Sequence, residues 1–163
     1  MNKKLSALTL SVVFILLTAC SPLFGNSSSN LVSDELNVDN GENIYFTATN
    51  DQGDLISYAG GPNFGGMMME IYLTCATCHG PKAQGGYYIL YMTELNAPDI
   101  RYETLVSDMA EEMKFRKYDL EAFKKAVVYG QHPDGDSLDE EMPRWKMNDE
   151  DLADLFAFLQ SLE

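Results

Sequence analysis

A chain of 163 residues with 45% hydrophobic content makes one domain with a modest core and is too apolar to be disordered. Eleven Lys and Arg stand against 25 Asp and Glu, a net charge of −14, which excludes nucleic acid as a partner and favours proteins that present basic patches. Only three cysteines are present, Cys20, Cys75 and Cys78, too few for a disulfide framework.

In chain order, Lys3 and Lys4 precede an apolar run from Leu5 to Ala19. The run falls short of the roughly 20 residues that cross a bilayer, so residues 1–19 read as a secretion signal. Its end, Leu17-Thr18-Ala19-Cys20, resembles the bacterial lipoprotein processing motif. That resemblance implies cleavage before Cys20 and acylation there, several chains together giving stable anchorage where one gives little. Cleavage would remove Lys3 and Lys4 and no acid, taking the charge from −14 to −16. The expected location is extracytoplasmic, lipid-anchored to a bacterial membrane and facing the periplasm. Residues 20–40, centred on Ser27-Ser28-Ser29-Asn30, are too polar to order themselves and read as a flexible tether.

The domain, residues 41–163, reads as mainly α. A first helix is expected from Gly66 through Thr74, running into the cysteine pair. A second covers Tyr102 to Phe115, with Leu105, Met109 and Met113 at fourfold spacing. A third starts near Asp119, carries Leu120, Phe123, Val127 and Val128 on one side, and stops at Gly130. The last follows Asn148 as cap and Asp149, Glu150 and Asp151 at the positive end of its dipole. Its Leu152, Leu155, Phe156, Leu159 and Leu162 follow the i, i+3, i+4, i+7 pattern. Between them, residues 46–65 fit no helix, and Thr and aromatic residues around Asp51-Gln52-Gly53 predict a small hairpin.

Cys75-Ala76-Thr77-Cys78-His79 matches the attachment signature of c-type haem, in which two thiols bond the porphyrin and the next residue ligates iron. Two intervening residues on a helical turn put both sulfurs along one edge of the macrocycle. Three other readings compete: a thioredoxin-like redox pair, half of a zinc site and a structural disulfide. Zinc lacks further ligands beyond His132 and carboxylates. A redox pair usually opens a helix after a buried strand, and the segment 66–72 is not one.

The sixth ligand comes from nine methionines. Met67, Met68 and Met69 belong to the His79 side, Met109 and Met113 to a helical core stripe, and Met92 to an irregular region. Met142 stands in an acidic loop before Pro143, which fixes the backbone; Met147 sits before the cap of the last helix and suits the core instead. His132 reads as an exposed loop residue, Lys124 and Lys125 as a solvated face. Trp145, Tyr87 and Tyr88 are candidates for a pocket lining or for plain core.

Cys75-Ala76-Thr77-Cys78-His79-Gly80, then Ala97-Pro98-Asp99-Ile100, then Met142-Pro143-Arg144-Trp145 and a closing amphipathic helix together resemble the small monohaem cytochromes c with His/Met ligation. The likeness spans about Gly66 to Glu163. It implies a cytochrome c fold, several helices wrapped around one covalent haem c, with His79 and Met142 as axial ligands. It further implies that the Pro98 carbonyl meets the proximal His79 and raises its donor strength. In the family the first and last helices cross, which points to Gly66 and Ile71 against Phe158. Gly41-Glu42-Asn43-Ile44-Tyr45 resembles the family's opening but lies far ahead of Cys75, so 46–65 looks like an insertion.

The expected function is single-electron transfer between extracytoplasmic redox partners, with no enzyme activity and no small-molecule substrate at the iron. Two alternatives stand beside it: a gas sensor or peroxidase-like haem protein with an open sixth position, and a haem-free thiol oxidoreductase.

Overall fold

The structure, a computed structural model, describes residues 36–63, 72–90, 93–107 and 117–162. The signal, Cys20 and most of the tether lie outside them, as do residues 64–71, with Gly66 and Ile71. The folded chain begins earlier than Gly41: Asn37 caps helix α1, Val38–Thr47, its side chain accepting from the Asn40 amide. Asn40, Gly41, Ile44 and Tyr45 form the buried stripe of α1, and the helix ends at Ala48 in the left-handed region.

This stripe packs on the closing helix α5, Asp149–Ser161, whose cap is Asn148 and whose first turn is acidic. The helix crossing is made by α1 and α5. The small residue at the crossing is Gly41, where a Cβ would overlap the Asp154 carbonyl and come 2.8 Å from Phe158 Cβ. The aromatic against Phe158 is Tyr45, with ring centroids 5.3 Å apart. Gly66 and Ile71, which the resemblance pointed to, lie outside the described residues; among those described, Gly41 and Tyr45 of α1, which precedes the 46–65 stretch, meet Phe158.

The crossing also holds two buried carboxylates. Asp151 and Asp154 are 4% and 5% exposed, and their charges meet amides rather than cations. Asn40 Nδ2 donates to Asp151 at 3.2 Å and to Asp154 at 2.8 Å, while Asn50 and Asn148 add donors to Asp151 at 3.3 and 3.0 Å. The Asn37 amide completes Asp154 at 2.7 Å. Burying a carboxylate is tolerable only with such a set of donors, and none of the described buried side-chain polar atoms lacks a partner.

After α1 the chain reverses at Asp51 to Gly53 in a very short antiparallel hairpin, with Thr49 bridged to Leu55 and the Asn50 and Ile56 amides donating to the Asp54 and Ala48 carbonyls at 3.1 and 2.8 Å. It continues into strand β1, Tyr58–Ala59. The helix expected over 66–74 is not what residues 72–74 form: Tyr72 to Thr74 are non-helical, and Thr74 caps a one-turn helix α2, Cys75–His79. A Thr74/Thr77 capping box explains the start, since each side chain takes the other's backbone amide.

Strands β2, Gly86–Leu90, and β3, Thr93–Ala97, pair antiparallel with Tyr88 opposite Leu95. This hairpin was not among the expected elements, although Tyr87-Tyr88-Ile89-Leu90 carries β-forming residues. Helix α3, Tyr102–Val106, ends at extended Ser107, and residues 108–116, with Met109 and Met113, are outside the described residues. Helix α4, Leu120–Lys124, is capped by Asp119 and runs into a π turn, Lys125–Tyr129, which stops at left-handed Gly130. Lys124 pairs with Asp149 and Lys125 with Glu121, consistent with a solvated face. Strand β4, Arg144–Trp145, pairs antiparallel with β1. Among the described residues no helix is long and apolar enough to cross a membrane.

Candidate functional site

A cavity of about 770 Å³ opens between α2, the 95–107 segment, the π turn and the 138–145 loop. That size is within the range of a cofactor pocket, and its wall is mainly apolar, built from Leu73, Leu95, Ile100, Val127, Leu155 and Leu159 among others. Cys75, Cys78 and His79 line one part of it, and Met142, Pro143 and Trp145 also face it. Met147 packs against the core instead.

The capped turn of α2 sets the first wall. His79 is 4% exposed, and its Nδ1 lies 2.9 Å from the Pro98 carbonyl oxygen, which fixes the ring and selects the tautomer with the proton on Nδ1. Among the described residues Nε2 has no hydrogen-bond partner and is not an orphaned buried atom, so it reaches the cavity's open space. Burial pulls the His79 pKa down, opposed by the Pro98 carbonyl and the Asp99 charge, which keeps the imidazole in the neutral form that ligates metal.

The Pro98 carbonyl is itself held in place. Gly85 lies so close to Ala97 and Pro98 that a Cβ on it would overlap both carbonyls, and its φ of +62° is one that glycine adopts without strain. The Gly85 amide donates to the His79 carbonyl at 2.9 Å, and the Ile100 amide to Ala83 at 2.8 Å. Asp99, next in sequence, takes a forked contact from Arg101, with Nη2 to Oδ2 at 2.6 Å. Burial would raise its pKa, yet the Arg101 hydrogen bonds and charge prevail and hold the carboxyl below the ordinary range.

Burial pushes the Cys75 thiol up to about 12, and burial together with the Glu141 charge raises Cys78. Both are therefore thiols near neutral pH, the opposite of the lowered values that make a cysteine pair a reactive redox centre. No group of three or more His, Cys, Asp or Glu among the described residues could hold a metal ion, which leaves the zinc reading without a ligand set.

A cytochrome c family model matches residues 38–163. The chain belongs to the cytochrome c family. No curated protein and no solved structure matches it. Membership brings a covalently bound c-type haem with its iron, a helical haem-binding fold and haem-based electron transfer. The residues present fit that group: two thiols on one helical turn, a neutral imidazole with Nε2 unengaged, and an apolar cavity of suitable volume in one place.

The remaining candidates divide. Trp145 is buried and lines the cavity; Tyr88 instead donates to the Gly85 carbonyl at 2.8 Å, and Tyr87 is exposed. His132 is not the exposed loop residue the sequence predicts. It is half-buried, lines the cavity, and its Nδ1 is 2.9 Å from the Tyr118 hydroxyl, because the 132–137 turn folds back against the π turn. As a site residue Tyr45 escaped the sequence reading, which gave it only as part of the family-like opening; its hydroxyl donates to the Gly80 carbonyl at 2.6 Å, next to the attachment turn. Thr74 escaped it too, although Thr74-x-x-Thr77 is a legible cap.

Proposed function

We propose that this cytochrome c is a monohaem single-electron carrier in which Cys75 and Cys78 hold the haem through thioethers and His79 and Met142 are the axial ligands. The observation that carries the reading is the shared cavity, with His79 Nε2 open to it and Met142, but not Met147, in its wall. When bound, the haem supplies a ferric/ferrous couple whose potential a Met ligand raises. The chain's own residues exclude water with an apolar wall, fix the His79 ring through Pro98 and cap the attachment turn with Thr74. With both axial positions filled, no small molecule is processed at the iron.

Docking follows from charge. Glu103, Asp139 and Glu141 are exposed and also border the cavity, so its mouth is acidic in a chain of net charge −14. Such a rim steers basic redox proteins and loses strength with salt. Acylation at Cys20, on the extracytoplasmic face of a bacterial membrane, is the matching anchor; its support is the Leu17-Thr18-Ala19-Cys20 motif.

A second reading, a sensor or peroxidase-like protein with an open sixth position, has one observation in its favour: His132 also lines the cavity. Visible spectra of oxidised and reduced protein, with and without carbon monoxide, separate the two. A low-spin spectrum that carbon monoxide leaves unmoved, turned gas-sensitive by Met142→Ala, is the expected result. A gas-sensitive parent selects the second reading. A colourless protein, matured with the haem attachment machinery, would leave the thiol reading, which the raised Cys75 and Cys78 pKa values oppose.

A further inference from the structure

The 46–65 stretch and Arg144 meet at the loop that carries Met142. The Arg144 guanidinium turns back on its own chain: Nη1 donates to the Met142 carbonyl, and Nη2 to the Leu138 and Asp139 carbonyls at 3.1 and 3.2 Å. Three carbonyls of one loop thus converge on one planar cation, a geometry that suits Arg and that an ammonium cannot span. Gly130 makes room for it, since a Cβ there would overlap the guanidinium. The Gly130 carbonyl also accepts from the Leu138 amide at 2.8 Å, tying the loop's start to the end of the π turn.

The other side of the loop is covered by residues 57–61. Ala59 pairs with Arg144 and Tyr58 with Trp145 in the β1–β4 ladder, and the Tyr58 and Trp145 rings pack at a 57° tilt with centroids 5.0 Å apart. The Lys146 amide donates to Ser57 at 2.8 Å and the Gly61 amide to Glu140 at 3.3 Å, so the strand brackets Met142 and Pro143 from both ends. At Gly61 a Cβ would stand 3.2 Å from Pro143 Cγ.

We propose that Arg144 and the segment 57–61 form a strap that holds the Met142 loop and keeps the sixth iron position closed, both acting as positioning elements. This rests on the reading of Met142 as the axial ligand. It also gives the inserted stretch a purpose: it supplies the outer strand of the strap. A loop of acidic and turn-forming residues, Asp139-Glu140-Glu141, has little packing of its own, and hydrogen bonds to its backbone restrain it whatever its side chains do.

The test is imidazole titration of the ferric full-length haem protein, in the parent and in Arg144→Ala, Gly61→Ala, Asn37→Ala and Met142→Ala. Arg144→Ala removes the bonds to the loop, and Gly61→Ala, at a φ of +99° that an L residue resists, disturbs the strand side of the strap at Pro143 without touching the guanidinium. Each is expected to bind imidazole about tenfold more tightly than the parent, the scale of one or two lost hydrogen bonds. Asn37→Ala loosens a cap in another element and is expected to leave imidazole affinity unchanged. Should Arg144→Ala or, if that variant fails to mature, Gly61→Ala bind no tighter than the parent while Met142→Ala does, the strap is wrong and the ligand reading stands. An equal gain in Asn37→Ala also overturns the strap, because general destabilisation then explains the effect. If Met142→Ala itself binds no tighter, the ligand reading falls and the strap with it.

Discussion

The hydroxyl of Tyr45 donates to the carbonyl oxygen of Gly80 at 2.6 Å, joining the first helix to the residue that follows the candidate haem ligand His79. Tyr45 is fully buried and its ring also packs on Phe158, so one side chain links α1, α5 and the attachment turn. The fold's two terminal helices thereby brace the attachment turn and also contribute Tyr45, Leu155 and Leu159 to the cavity wall.

Tyr45→Phe keeps the packing and removes the bond, leaving a Gly80 carbonyl without its donor; the loss is expected to be about 1–2 kcal/mol in urea unfolding. Burial raises the Tyr45 pKa well above its ordinary value of 10.0. The unfolded chain therefore releases the proton first, and the stability Tyr45 contributes is complete below pH ~10 and declines as pH rises beyond it. Parent and Tyr45→Phe curves should accordingly converge between about pH 10 and 11, and a constant gap across that range would contradict the burial argument.

Gly41 is where α1 and α5 approach most closely, so Gly41→Ala drives a methyl into the Asp154 carbonyl. Overpacking of this kind costs about 1–3 kcal/mol, and the melting temperature should fall by several degrees. An unchanged melting temperature would mean that the helices can part freely and that the crossing is not specified by the small residue.

Asp99 and Arg101 form a fork beside His79, each about a quarter exposed at the side chain. Because the Asp99 pKa is lowered in the folded state, its contribution is present above the unfolded carboxyl range and is lost as pH falls through it. Arg101→Gln is expected to lower stability slightly at pH 7, screened as the pair is by solvent, and by less as the pH is taken into the acid range. Unfolding midpoints of parent and variant from neutral to acid pH give the comparison, with a gap that persists at the acid end counting against it.

On the proposed docking mode, Glu141→Lys reverses a charge at the cavity mouth. Its second-order rate with a basic redox protein should fall several-fold at low ionic strength and approach the parent's in high salt. Stopped-flow reduction at two salt concentrations decides it: a rate indifferent to both changes would remove electrostatic steering from the proposal.

Short-range chemistry was legible in the chain alone. The Cys75 to His79 spacing, the Asn148 cap with its acidic first turn and apolar period, and the Gly130 stop each depend on residues within one or two turns, where backbone geometry dictates the outcome. Long-range pairing was not. The resemblance anticipated a glycine and an aromatic at the helix crossing but assigned them to Gly66 and Phe158. Gly66 lies outside the described residues; at Gly41 tertiary packing brings the backbone of one helix onto the carbonyl of Asp154 on the other. Similarly, 46–65 read as a small hairpin; Thr49 and Leu55 do pair across its turn, but Tyr58 and Ala59 find their partners at Trp145 and Arg144. A strand's hydrogen-bonding edge carries no local signal of which distant segment will satisfy it. Sequence therefore specified the attachment chemistry and the helix ends; the fold decided what surrounds Met142, since that depends on contacts between residues more than eighty positions apart, such as Ala59 and Arg144.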